Sequence, residues 1–111
     1  MSATPLPGTP VRGSSTGRPV MALLDLLGRR WALRVIWELR DPAGFTFRDL
    51  QSRCDDLSSS VLAKRLKELT EAGIVENEAG YRLTAQGSDL LKRLEPVDQW
   101  ARTWQPRGPM K

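Results

Sequence analysis

Ser60, Lys64 and Lys67, with Ala63 between them, fall on one face of a helical wheel, and Ser59 lies beside them. Hydroxyls and ammonium groups at that spacing are donors to a polyanion. Ser59, Ser60, Lys64 and Lys67 are candidates for base edges and the phosphates next to them, and the small residues allow close approach to a groove floor. At 100° per residue, Val61, Leu62, Leu66 and Leu69 form the opposite, apolar face. An ordinary amphipathic surface helix has the same pattern, because its outer face is usually charged. Arg48, Arg53 and Arg65 are further candidates for contacts to a phosphate backbone. Arg65 flanks the apolar stripe, so an ion pair with a carboxylate such as Asp49 is its alternative role.

The chemistry open to the rest of the chain is narrow. It contains no histidine, which removes the commonest general base and the commonest transition-metal ligand together. One cysteine, Cys54, permits neither an intramolecular disulfide nor a thiolate metal cluster. As a free thiol it is read as a small buried residue. No paired-carboxylate or glycine-rich phosphate motif is present. An enzyme is therefore not expected, nor is a metal or other cofactor. With no apolar run of membrane-spanning length and no signal peptide, a cytoplasmic protein is the default expectation, with no membrane partner.

The donor face needs a helix over residues 58–72. Ser58 is suited to cap it, and Gly73 to end it in the left-handed conformation. Residues 74–77 and 81–83 read as two short strands joined by a tight turn in which Gly80 supplies a positive φ. Thr84 then caps a further helix. Upstream, residues 46–54 read as a short positioning helix capped by Thr46, and residues 55–57 as the turn into the next helix. Helix, turn, helix, hairpin and helix in that order give a winged helix-turn-helix. The fold class is mainly α (α+β), with a wing of two to three strands, since Phe45 is placed to begin a strand that pairs with it.

Residues 1–19 contain four prolines and three glycines, bury little, and read as a disordered tail. Residues 20–105 form the folded domain, and 106–111 a flexible C-terminal tail. Two helices precede the positioning helix, over 20–27 and 30–40. The net charge of +4 lies in the tails, because residues 20–105 carry 13 basic and 13 acidic side chains. Only the placement of charge can then argue for nucleic acid. The stretch 29–53 has six arginines against Glu38, Asp41 and Asp49.

Leu90, Leu94, Val97, Ala101 and Trp104 recur at alternating intervals of four and three, a coiled-coil-like seam with Trp100 beside it. Pro96 lies off the seam and is expected to kink or interrupt the helix. A seam projecting from so small a domain calls for a cover, and a second copy is the simplest one, joined by the first helix through residues such as Leu24. Folding back of the helix on its own core is the alternative. Trp37 points away from its helix's inner stripe. With Trp100 and Trp104 it could line a pocket between subunits for a small apolar effector, or simply pack the interface.

The stretch from Leu23 through Gln51, followed by LSSSVLAKRLKELTEAGIV and YRLTAQGSDLL, resembles the HxlR-type winged-helix transcription regulators, relatives of the MarR group. Its most specific parts are Gly28 with Trp31, the cluster Phe47, Asp49 and Leu50, the pattern Leu62, Arg65, Leu66, Leu69 and Gly73, and Leu83, Thr84 and Gly87. The resemblance implies a homodimer built through the N- and C-terminal helices and bound to roughly palindromic operator DNA. Two recognition helices, each over about residues 58–72, then enter successive major grooves about 34 Å apart. Two departures stand out. Many such proteins carry a sensing cysteine just before the first helix, where this chain has Arg18 and Pro19. Their wings are often long with a basic or proline-rich tip, whereas residues 76–80 here are few and include Glu76 and Glu78. The expected function is thus a homodimeric, sequence-specific DNA-binding regulator. Its competitors are a winged-helix module that binds protein and not DNA, and a regulator gated by a small apolar ligand at the tryptophan-lined interface.

Overall fold

Proline at a first helical position gives up an amide that would have no helical partner anyway, and Pro19 opens α1 (Pro19–Leu27) in this way. The computed structural model describes residues 4–12, 15 and 17–108. After α1 come α2 (Ala32–Glu38), α3 (Phe47–Arg53), α4 (Ser59–Glu71), β1 (Val75–Asn77), β2 (Tyr81–Leu83) and α5 (Ala85–Arg102). This is the mainly helical, small-sheet architecture expected of a winged helix-turn-helix.

Three caps fix the element boundaries. The Thr46 hydroxyl accepts from the Asp49 amide at 3.1 Å while the Asp49 carboxylate accepts from the Thr46 amide, a full capping box. The Ser58 hydroxyl accepts from the Val61 amide, and that of Thr84 from the Gly87 amide. Gly73, at φ 78°, leaves α4 in the left-handed conformation. The hairpin pairs Val75 with Leu83 and Asn77 with Tyr81, and its tip uses positive φ at Ala79 and Gly80. Phe45 adds an isolated bridge to Tyr81 through two short backbone hydrogen bonds, so the third strand is reduced to one residue pair.

Val35 and Ile36 of α2, Leu39 at its C-cap, Leu50 of α3, and Leu62, Leu66 and Leu69 of α4 are all within 2 % of complete burial and meet at the centre. Phe45, Ile74 and Val75 close the core from the wing side. Each fully buried side chain of this size contributes about 1.5–3 kcal/mol relative to exposure, so the apolar stripes of α2 and α4 dominate the stability.

Two expectations are corrected. The second helix begins at Ala32 and not at Arg30, because Trp31 adopts a left-handed φ of 76° and the Arg30 carbonyl accepts from the Arg65 side chain. Pro96 does not interrupt the last helix: α5 runs unbroken from Ala85 to Arg102. Pro96 and Lys92, whose carbonyl loses its partner, are both exposed, so water can replace the missing bond. The described residues of the N-terminal segment lie against the domain, with Pro5 buried, the Thr4 hydroxyl bonded to Glu71, and the Arg12 amide donating to Asp25 at 3.3 Å. Residues 1–3, 13, 14 and 16 of that segment, and 109–111 of the C-terminal one, lie outside the described residues. Among the described residues, no helix is long and apolar enough to cross a membrane.

Candidate nucleic-acid interface

The start of α4 is fixed in place by α3 and α2. Gln51 of α3 donates from Nε2 to the Leu57 carbonyl at 2.9 Å and to the Ser59 hydroxyl at 3.0 Å. The turn between them uses two successive left-handed residues, Asp55 at φ 58° and Asp56 at φ 56°, a conformation that aspartate tolerates better than most side chains. Arg34 of α2 binds this turn from below. It donates to the Arg53 carbonyl at 2.6 Å, to Asp55 at 3.3 Å and to Glu38 at 2.8 Å. The hydrogen bond to Glu38, aided by the charge of Asp55, raises the Arg34 guanidinium above its ordinary value. Sequence reasoning missed both Arg34 and Gln51, since neither spacing nor type marks a residue whose partners are loop carbonyls.

From that anchored start, Ser59, Ser60, Lys64 and Lys67 are brought together along the exposed side of α4. Ser59 accepts from Gln51 and keeps its own proton to donate. Lys67 lies 3.7 Å from Glu71, a surface pair that constrains it weakly. Arg48 is exposed on α3 and makes no ion pair among the described residues. Arg53 is drawn into packing instead: its guanidinium covers the Phe45 ring at 4.4 Å and lies 3.9 Å from Glu38. Arg65 is committed further still. It donates to Glu68 at 2.9 Å and to the Arg30 carbonyl at 2.6 Å. The carboxylate it meets is Glu68, not Asp49, which is occupied in its own capping box. Arg29 binds the same Glu68, whose side chain is only 6 % exposed.

Glu78 is exposed at the wing tip and Glu76 is half-buried on β1, so the wing presents negative charge to any neighbouring phosphate. Arg82 of β2 faces inward toward Gly44, where a Cβ would come within 2.7 Å of its guanidinium.

The apolar candidates divide between two places. Trp37, Leu94 and Val97 line, with Leu33 and Leu91, a groove of about 300 Å³ between α2 and α5. Trp100 and Trp104 are outside it; they stack on each other with ring centroids 5.6 Å apart and are about 60 % exposed. Within one chain the three tryptophans therefore do not share a pocket. Leu24 is exposed on α1, on a different cleft that also takes Lys64. Cys54 is fully buried at the end of α3, and burial pushes its thiol pKa up. No cluster of side chains among the described residues could hold a metal ion.

Comparisons with known proteins agree with this architecture. The family model described as HxlR-like helix-turn-helix matches residues 26–109. An uncharacterised helix-turn-helix transcriptional regulator of Bacillus subtilis, YvaP, is 29% identical over 89 residues, which span 73% of this chain and 82% of that protein. The B. subtilis regulator YodB is 32% identical over 85 residues, or 69% of this chain and 75% of that one. The crystal structure of quinone-bound YodB superposes with a TM-score of 0.71 at 31% identity, covering 77% of this chain and 97% of that one. A structure described as a possible HxlR-family transcriptional factor from Thermoplasma volcanium gives a TM-score of 0.65 at 30% identity, over 72% and 78% of the two chains.

Proposed function

The chain belongs to the HxlR-like helix-turn-helix family of DNA-binding transcription regulators, and on that premise we propose that it acts as a cytoplasmic homodimer whose α4 reads the major groove of an operator. The family consists of regulators and not of enzymes.

The observation that carries this reading is the row Ser59, Ser60, Lys64 and Lys67, exposed on a helix whose first residue is held by Gln51 and whose preceding turn is held by Arg34. A rigid start and a free polar face suit a helix that must present side chains to base edges without paying ordering entropy on binding. Arg48 is placed for the phosphate backbone at the start of α3. Arg53 and Arg65 act chiefly inside the protein, through Phe45 and Glu68. Dimerisation uses α5, where Val97, Trp100 and Trp104 form an exposed apolar stripe, together with the exposed Leu24 and Val20 of α1.

One structural neighbour is a quinone-bound form of YodB. An effector of this chain would have to act without an exposed thiol, because Cys54 is buried. The α2–α5 groove, with Trp37 in its wall, is the apolar space nearest the proposed interface.

The test is an electrophoretic shift of the protein's own promoter fragment at low salt. Retarded bands that resist competition by unrelated duplex are expected. Failure to shift that fragment under any low-salt condition would overturn the operator-binding reading.

A further inference from the structure

A domain with balanced charge and an acidic wing needs another source of attraction for a duplex, and one lies beside α4. A cleft of about 430 Å³ is lined by Arg12, Arg29, Arg30, Lys64 and Arg65, with Asp25 as its one lining carboxylate. Arg29 and Arg65 are turned onto the buried Glu68. Asp25 accepts from the Arg12 backbone amide, which draws that segment to the cleft. No carboxylate among the described residues pairs with the side chains of Arg12, Arg30 or Lys64. Five cations thus face two carboxylates at close quarters, and such crowding is unfavourable unless an anion comes to it.

Resting on the DNA-binding reading above, we infer that this cleft is a second phosphate site, in which Arg12, Arg30 and Lys64 grip the duplex backbone flanking α4. Lys64 belongs both to the cleft and to the row that faces the groove, so a phosphate seated there is continuous with DNA lying on α4. Arg12 is delivered by the N-terminal segment. That segment is fastened at Thr4 to Glu71, by burial of Pro5, and at its Arg12 amide to Asp25. Its guanidinium is therefore held near the cleft before DNA arrives, which limits the ordering cost of binding. The grip is on the sugar-phosphate backbone and carries no sequence information.

The experiment measures fluorescence anisotropy of the full chain on a promoter duplex and on a random duplex across a salt series. Arg12→Ala with Arg30→Ala should reduce the slope of log affinity against log salt by about 1.8 for each protomer bound, about 3.6 for the homodimer, since each phosphate neutralised by a cation adds about 0.9 to that slope. Affinity should fall roughly equally on both duplexes, and Arg12→Lys with Arg30→Lys should restore most of the slope. If the Arg30 substitution disturbs folding, Arg12→Gln alone, in the exposed segment, should still remove about 0.9 of slope for each protomer bound. Wild-type binding with an unchanged slope in these variants overturns the cleft and leaves the family function intact. The cleft is equally overturned if inorganic phosphate raises the wild-type melting temperature while the slopes stay unchanged, because it then holds a free anion. A wild-type protein that binds no duplex at low salt overturns both.

Discussion

The Arg65 guanidinium donates to the Glu68 carboxylate at 2.9 Å, with the two side chains only 14% and 6% exposed. The same carboxylate takes Arg29 from the other side, and Arg65 reaches on to the Arg30 carbonyl. One buried acid on α4 therefore fixes that helix to the turn between α1 and α2. Its position is polar because it joins two elements through two arginines, where an apolar residue would leave two guanidinium groups without a counter-charge.

Replacing Glu68 by Gln should accordingly be costly. Removing one partner of a buried ion pair leaves uncompensated charge, and two cations share the loss here. A decrease of about 3 kcal/mol in unfolding free energy is expected. Urea denaturation measures it, and a change below about 1 kcal/mol would mean the cluster behaves as a surface pair.

Lys64→Ala with Lys67→Ala should do the opposite. Both side chains are exposed on α4, so melting temperature and sedimentation should be unchanged, while operator affinity falls and its salt dependence flattens by up to about two phosphate contacts for each protomer. Arg65→Ala, by contrast, should register mainly in stability. Equal loss of salt dependence from Arg65→Ala would show that its guanidinium leaves Glu68 for DNA.

The sequence made the caps and stripes of this fold readable because they are local. Ser58, Thr46, Thr84, Gly73 and Gly80 each act within a few residues of themselves, and all occupy the positions their chemistry suggested. The donor row on α4 was readable for the same reason, being one face of one helix. What stayed hidden depends on residues far apart in the chain. Glu68 has no local signature, because its partner Arg29 lies 39 positions away. The anchoring of α4 by Arg34 and Gln51 runs to backbone carbonyls, which have no sequence signature. Trp31 delays the start of the second helix through a left-handed conformation that its residue type disfavours. The described part of the N-terminal segment meets residues far along the chain, Thr4 on Glu71 and the Arg12 amide on Asp25, which no local pattern reveals.

Cys54 should be chemically quiet. Burial raises its pKa, so the thiolate needed for attack is scarce in the folded state. Labelling by a disulfide reagent at pH 8 should be slow in the native protein and fast in urea, and DNA binding should survive treatment with quinones or diamide. The stability consequence has a fixed sign. The unfolded chain loses its thiol proton above about pH 8.5 while the folded one retains it, so the contribution is complete below that range and declines as pH rises through it. Rapid labelling under native conditions would place Cys54 back among candidate sensors.

Gly87 is needed for a packing reason. A Cβ there would lie 2.1 Å from the Ile74 carbonyl oxygen, closer than any real contact, and the atom it meets belongs to backbone next to β1. Gly87→Ala must push the start of α5 away from the wing. A loss of more than about 2 kcal/mol is expected, at the large end for a single methyl group. A melting temperature within one or two degrees of wild type would show that α5 shifts freely.

The last prediction concerns α5. Leu90, Leu91 and Leu94 pack toward the core, whereas Val97, Trp100 and Trp104 are each about 60 % exposed in a single chain. A stacked tryptophan pair left in water forgoes most of the stabilisation its area could give, at roughly 25 cal/mol per Å² of apolar surface. Burial against a second copy recovers it, and places two α4 helices on one assembly. Truncation after Leu94 removes the exposed stripe and keeps the packed leucines, so it should give a folded monomer in sedimentation. Trp100→Asp should do the same without shortening the helix. Loss of the dimer should also weaken operator binding far more than removal of one recognition helix's own interactions, because the second helix is then no longer delivered at high local concentration. A dimer that persists through both changes would move the interface to α1 and leave the tryptophan pair without its partner.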